Sequence, residues 1–378
     1  MLKYYEVENF KSFKNRTKFS LEKTNYKMLS DSNINGSILK GLLFVGANAS
    51  GKSNSIIPIK YLLDILFKDG FILFNVYKCI FSSNPKISLC YCFEVNNTEI
   101  KYELEILDNC IVERLFLDDE NILDRCDNYA KASFTEKKEY SDIPKNSLFL
   151  RELYFNTKFR GMPVLQKWFE CLSNSVYFDL YKGKGLIYRN DINLDLLSYL
   201  DKYGIDEINE FFSMYKFNQQ IEYDSEAHGS FVHFKTNDQN NKAVFFKRKG
   251  IDEPIPITLE SLGNQNLLHL LPIFFHCIRN NGILLLDEFS SGFHNDLEEL
   301  LVKHFMNKSK SAQLLFVSHS TNLLSNSILR PDQLYSVDFD NNGSHINRFS
   351  NEQPREAQNI EKMYLSGVFK GVPIYEDD

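Results

Sequence analysis

One octapeptide constrains this chain more than any other feature: Gly46-Ala47-Asn48-Ala49-Ser50-Gly51-Lys52-Ser53. It lies between a short apolar run, GLLFV (41–45), and a helical pattern, NSIIPIKYLLDILF, with Pro58 early in that pattern, where a missing amide donor costs least. The spacing is G-x-x-x-x-G-K-[ST] between a buried strand and a helix. Glycines there let the backbone turn tightly, so that successive N–H groups point at phosphate oxygens. The helix that starts at the loop adds its N-terminal dipole. The expected ligand is ATP with Mg²⁺, held by Gly46, Asn48, Ser50, Gly51, Lys52 and Ser53. Lys52 is expected to reach the β- and γ-phosphates, and Ser53 to place its hydroxyl on Mg²⁺.

Two further segments fit the same chemistry. The apolar run Gly282–Leu286 ends in Asp287-Glu288. A buried strand would deliver both carboxylates to the carboxyl edge of a sheet, where ligands of open α/β sheets bind. Asp287 is then the candidate to hold Mg²⁺, directly or through water, and Glu288 the candidate general base for an attacking water. AQLLFVSHS places His319 at the end of another apolar strand, where its imidazole would donate to the γ-phosphate or position the water.

Composition limits the alternatives. Apolar residues make up 43% and charged residues 25%, an ordinary globular balance. The net charge of −7 disfavours sequence-independent DNA binding over the whole surface. The short basic run Lys11, Lys14, Arg16 and Lys18 reads more readily as a solvated strand-and-turn face than as a local basic patch for nucleic acid. The seven cysteines are odd in number and lack paired CxxC spacing, so reduced thiols and a cytoplasmic location are expected. No apolar run approaches the roughly 20 residues of a membrane span.

Along the chain, LKYYEVENF and KFSL read as strands, and residues 25–40 as a polar loop. KISLCYCFEVNN and EIKYELEIL form a hairpin pattern that IVERLFLDD continues; 127–147 is polar and loop-rich. From Leu148 to about Phe217 the spacing turns helical. QIEYD, GSFVHFKT and KAVFFKRKG then read as antiparallel strands, and the last third alternates helix and strand, as parallel α/β sheets do. These patterns give an α/β fold with a mixed sheet and three regions. Residues 1–125 carry the phosphate loop and an antiparallel β-subdomain, 126–220 form a mainly helical insertion, and 221–378 hold the acidic strand and the histidine.

The order of these motifs resembles that of ABC-type ATPase heads, and in particular the stand-alone RloA/AbiL-type ATPases of prokaryotic anti-phage defence loci. The N-F-[RK]-S-F of that family corresponds to Asn9-Phe10-Lys11-Ser12-Phe13, and its E-S-x-G-T signature to Glu260-Ser261-Leu262-Gly263-Asn264. Its D-E-x-x-x-S-L-H-P corresponds to DEFSSGFHND, with His294 in the histidine slot, and its closing motif to Asn359–Pro373. Asn264 replaces the usual Thr while keeping a donor for phosphate, and Asn295 replaces the usual Pro. The resemblance implies a homodimer, or higher homo-oligomer, that sandwiches two ATPs. Ser261, Gly263 and Asn264 of one subunit would face the γ-phosphate held by Lys52 of the other, and Ser290, Ser291 and Gly292 would cross the seam. Ser261 would also cap its helix, and a capped helix start is itself an anion site. The resemblance further implies a separate effector, a nuclease or toxin, licensed on sensing phage; the 59 residues after His319 are too few for a TOPRIM domain of the chain's own. The alternative is a RecF-like, ATP-dependent DNA-binding repair clamp.

Overall fold

The strand Gly41–Gly46 is buried at all six positions, as are the five of Ile283–Asp287 and the five of Gln313–Val317. Strands apolar on both faces need cover on both faces, which is the condition of a parallel sheet. In the computed structural model, which describes residues 1–69, 74–107, 110–145, 147–189, 191–235 and 242–372, they form the centre of a seven-stranded sheet. Its order is Lys184–Ile187, Val176–Asp179, Ile283–Asp287, Gln313–Val317, Gly41–Gly46, Leu334–Asp340, Gly343–Arg348. The five inner strands are parallel, and each edge strand closes an antiparallel hairpin. Asp287, Gly46 and Val317 therefore all end at one edge.

An eight-stranded antiparallel sheet belongs to the same unit. It runs from Leu2–Glu8 and Thr17–Ser20 at one end, through the long strands Ile87–Val95, Thr98–Leu107 and Cys110–Leu117, to Glu139–Tyr140 at the other. The helix Lys52–Phe67 is tied to it by two buried tyrosines: Tyr5 donates to the carbonyl of Ser55 at 2.6 Å and Tyr91 to that of Pro58 at 2.8 Å. One continuous core joins residues of this helix with those of both sheets.

The chain divides into two compact units. The first comprises Met1–Arg189, Cys277–Ser291 and Asn295–Asp378; the second comprises Asn190–His276 and Gly292–His294. The second holds the helices Leu196–Tyr203 and Asp206–Met214, a three-stranded antiparallel sheet, the short hairpin Glu226–His228 with His233–Lys235, and most of the helix Leu262–Asn280.

The boundaries expected at 125/126 and 220/221 are not where these units part. Residues 126–189 belong to the first unit because Val176–Asp179, inside the segment read as helical, pairs in parallel with the acidic strand Ile283–Asp287. Four residues are too few for a periodicity to register against flanking helical spacing. Segment 127–147 carries two short strands, Tyr129–Ala132 and Glu139–Tyr140, and the polar 25–40 stretch carries a four-residue helix, Ser30–Asn33. Pro58 lies inside its helix, whose first residue is Lys52, rather than in the first turn. All seven cysteines are free. Among the described residues no helix is long and apolar enough to cross a membrane. Pro373, the end of the closing motif, lies outside the described residues.

Candidate active site

The phosphate loop leaves its strand at Gly46 and enters the helix at Gly51. Gly51 has φ of 102°, and a Cβ there would come within 2.2 Å of Ser344 Oγ and 2.7 Å of Ser12 Oγ. Only glycine combines that dihedral with that proximity. The two serines hold the loop from outside. Ser344 donates to the carbonyl of Ser50 at 2.6 Å and shares a 2.7 Å hydrogen bond with Ser12, which also accepts from Asn54 Nδ2 at 2.8 Å. Ala49, with φ of 61°, is a non-glycine residue in the left-handed region, as such a loop requires.

The loop is arranged for an anion. Gly51 caps the helix Lys52–Phe67 without any side-chain hydrogen bond, so no side chain of the cap satisfies the first-turn N–H groups. Ser50 Oγ is buried and has no partner among the described residues. The Lys52 ammonium is buried and donates to the carbonyls of Gly46 at 3.0 Å and Ala47 at 2.7 Å. Burial pulls the Lys52 ammonium below its ordinary value, and Glu288 and Asp287 oppose the shift.

The acids arrive as the sequence predicts. Ser53 donates to Asp287 Oδ1 at 2.9 Å, and Tyr177 donates to Asp287 Oδ2 at 3.3 Å. Burial raises the Asp287 carboxyl, with the neighbouring Glu288 and Asp179 adding to the rise. A buried carboxylate beside a serine hydroxyl, under a phosphate loop, is a donor set suited to a hard divalent cation. Glu288 sits at φ of 54°, unusual for a non-glycine residue, and its carboxylate approaches His319 Nε2 at 3.7 Å. Burial and the Lys52 ammonium hold the His319 imidazole below its ordinary value, so the ring is neutral at pH 7. The His319 backbone N–H donates to Ser290 Oγ at 3.3 Å, which fastens the histidine loop to the segment after the acids.

Beside the loop opens a cleft of about 640 Å³, lined by Lys11, Asn48, Asn54, Ile80, Phe81 and Phe339 among others. Lys11 comes from the N-F-K-S-F segment. Phe81 and Phe339 touch edge to face, with centroids 5.3 Å apart.

The signature residues lie in the second unit. Ser261 Oγ accepts from the backbone N–H of Asn264 at 3.3 Å, an N-cap contact. Gly263 approaches the Gly292 carbonyl so closely that a Cβ would stand 2.5 Å from it. Asn264 does not present the expected free donor. Its amide donates to Glu260 Oε2 at 2.8 Å and to Gln219 Oε1 at 3.4 Å, while its own oxygen accepts from Gln219 at 3.2 Å. Glu260 in turn accepts from Arg248 at 2.6 Å. The Thr-to-Asn departure is thus taken up by a network within that unit.

Within the first unit, Lys52, Ser53, Asp287, Glu288 and His319 come together as expected. Sequence reasoning missed Asn54, Tyr177 and Ser344, and gave Ser12 no role. Ser12 lies in a segment already singled out; nothing in the local pattern marks the other three.

The fold compares with known structures. An SMC head bound to the C-terminal winged-helix domain of ScpA is 14% identical, with a TM-score of 0.52, and the match covers 91% of this chain and 97% of that one. The SMC head domain from Thermotoga maritima is 15% identical over the same shares, with a TM-score of 0.49. No curated protein matches the sequence. The family model described as "AAA domain, putative AbiEii toxin, Type IV TA system" matches residues 42–325, and the chain belongs to that family.

Proposed function

We propose that the protein binds ATP with Mg²⁺ at the phosphate loop and hydrolyses it slowly, as a switch that joins and releases paired heads. The observation that carries this reading is the convergence of Lys52, Ser53, Asp287, Glu288 and His319 on one sheet edge. Lys52 exchanges its two loop carbonyls for phosphate oxygens, and the open first turn of its helix binds the same charge. Mg²⁺, held by Ser53 and Asp287, supplies charge neutralisation on the phosphates. Glu288 takes the proton of the attacking water, and neutral His319 orients that water or donates to the phosphate beside it. The adenine ring would lie in the cleft lined by Ile80, Phe81 and Phe339. Ser261 and Gly263 of a second copy complete the phosphate cage. In the cell the paired heads govern a separate effector, a nuclease or toxin, in response to phage; support for this is the family's link to toxin–antitoxin systems.

The test uses Glu288→Gln, which keeps the fold and the charge of the bound nucleotide but removes the base. With MgATP its mass in solution should double while turnover falls at least about a hundredfold, an acid–base contribution of ordinary size. An unchanged mass would remove the sandwich. Co-expressed with its flanking genes, the trapped form should retain a protein partner; retention of nucleic acid alone would favour the repair-clamp reading.

A further inference from the structure

The strand Leu334–Asp340 carries no motif, yet it runs directly alongside the phosphate loop. It pairs in parallel with Gly41–Gly46 in the register Tyr335↔Phe44, Ser336↔Val45, Val337↔Gly46. Val337 therefore stands beside the first glycine of the loop, and a Cβ on Gly46 would lie 2.3 Å from its carbonyl oxygen. The next two residues, Asp338 and Phe339, enter the lining of the cleft of about 640 Å³. The loop residues Ala47 to Ser50 line the same cleft, and Ile80, Phe81 and Phe339 give it an apolar wall. Ile80 is 86% exposed and Phe339 43%. Apolar and aromatic side chains left open beside a phosphate loop offer a surface on which a flat base can lie.

Asp338 is the one carboxylate among the described residues that line this cleft. Its Oδ1 accepts from the Phe339 N–H at 2.9 Å, which holds the group beside the aromatic wall. Its cross-strand neighbour His345 does not pair with it, because His345 Nε2 lies 2.9 Å from Asp340 Oδ1 instead. Lys11, also in the lining, is engaged elsewhere. Its ammonium donates to the Val76 carbonyl at 3.0 Å and lies 4.5 Å from the centre of the Tyr77 ring. Among the described residues Asp338 makes no ion pair, and its side chain accepts no second hydrogen bond. A carboxylate only accepts, so the cleft holds an acceptor with spare capacity next to a wall that fits a base. On adenine the exocyclic amino group is the donor that such an acceptor can meet; the ring nitrogens accept, and a carboxylate repels them.

We propose that Asp338 is the base-reading residue of the site: its carboxylate accepts from the exocyclic amino group of adenine and so sets a preference for ATP over a purine nucleotide that lacks this group. This rests on the nucleotide site proposed above. The phosphate loop cannot supply the choice, because its donors meet phosphates that every nucleoside triphosphate carries. Asp338 is exposed, so water competes for the bond and the preference is moderate rather than absolute.

The test is competition of ATP and of purine riboside triphosphate, which lacks only the 6-amino group, against ribose-labelled fluorescent ATP on the full chain with Mg²⁺. The parent should bind ATP about tenfold more tightly than the analogue, the size of one hydrogen bond to a charged group. Asp338→Ala should shrink that preference to less than about threefold by weakening ATP alone. Asp338→Asn keeps an acceptor oxygen and should retain part of it. Lys52→Ala should weaken both triphosphates alike. A loosened strand would also weaken both alike, so the ratio separates recognition from packing. If the parent does not distinguish the two, or if Asp338→Ala keeps the preference or weakens both equally, base reading by Asp338 is overturned while the phosphate loop stands. If Lys52→Ala leaves both affinities unchanged, the nucleotide site itself falls and base reading with it.

Discussion

Single atoms decide much of this site. At Gly51 a methyl group would overlap the Ser344–Ser12 hydrogen bond that holds the loop, in a dihedral that L-residues avoid. Gly51→Ala should therefore lose at least about tenfold in nucleotide affinity, measured by fluorescent ATP titration, and about 1–3 kcal/mol of stability. Glu298 is a second such position. It is buried, its Oε2 has no partner among the described residues, and it is bonded to Ser320 next to His319. Burial pushes its carboxyl up to about 7 from an ordinary 4.5. The folded chain thus holds this proton over a range where the unfolded chain has released it. Stability is fully retained below about pH 4.5 and declines as pH rises toward 7. Glu298→Gln should be more stable than the parent at pH 8, by on the order of 1–3 kcal/mol, and the advantage should vanish near pH 5. Urea denaturation at the two pH values measures both; an advantage that grew toward low pH would contradict the assignment.

At the scale of elements, distant segments supply contacts that local sequence does not. The helix Phe149–Thr157 begins without a side-chain cap of its own. Glu113, on a strand of the antiparallel sheet, accepts from the Phe149 and Leu150 N–H groups at 2.7 and 3.2 Å and pairs with buried Arg125 at 2.7 Å. A carboxylate at a helix N-terminus is favoured by the dipole, and here it also satisfies a buried guanidinium. The closing helix Ile360–Leu365 works in the same way. Asn359 caps it, and Glu361 accepts from Thr321 Oγ1 at 2.6 Å, two residues beyond His319. Beyond the helix, Phe369 stacks on Phe349 with centroids 3.9 Å apart. The closing motif thus braces the histidine loop. Thr321→Val should lower ATP turnover about three- to tenfold with little change in KM, because the loop is loosened and the phosphate loop is untouched. A loss of affinity instead would place Thr321 in binding.

For the molecule as a whole, a ligand that binds only the folded state stabilises it by mass action, by about 2.7 kcal/mol at a hundredfold excess over Kd. MgATP should therefore raise the melting temperature of the full chain by several degrees, and Lys52→Ala should abolish the rise. A rise that persisted in Lys52→Ala would place nucleotide elsewhere. The two compact units divide the chemistry: the first holds the phosphate loop, the acids and His319, and the second holds Ser261 and Gly263. Pairing of two copies is the proposed means of bringing both sets of groups to one phosphate.

What the sequence determined by itself was whatever depends on near neighbours. The octapeptide at 46–53 carries its own dihedral demands, and the apolar runs before Asp287 and His319 are long enough to read as buried strands, so the α/β class and the convergence of five candidate residues on one edge were legible. Only the tertiary structure decided what depends on register and on remote partners. The four-residue strand Val176–Asp179 is invisible as a pattern, yet its pairing with Ile283–Asp287 moves the domain boundary and sets Asp179 beside Asp287. Ser344 meets Gly51 across almost the whole chain, and Asn264 is turned away from its expected donor role by Gln219 and Glu260. Local propensity is written in neighbouring residues. Which side chains share an edge is fixed by the order in which strands pair, and that order is a property of the folded sheet.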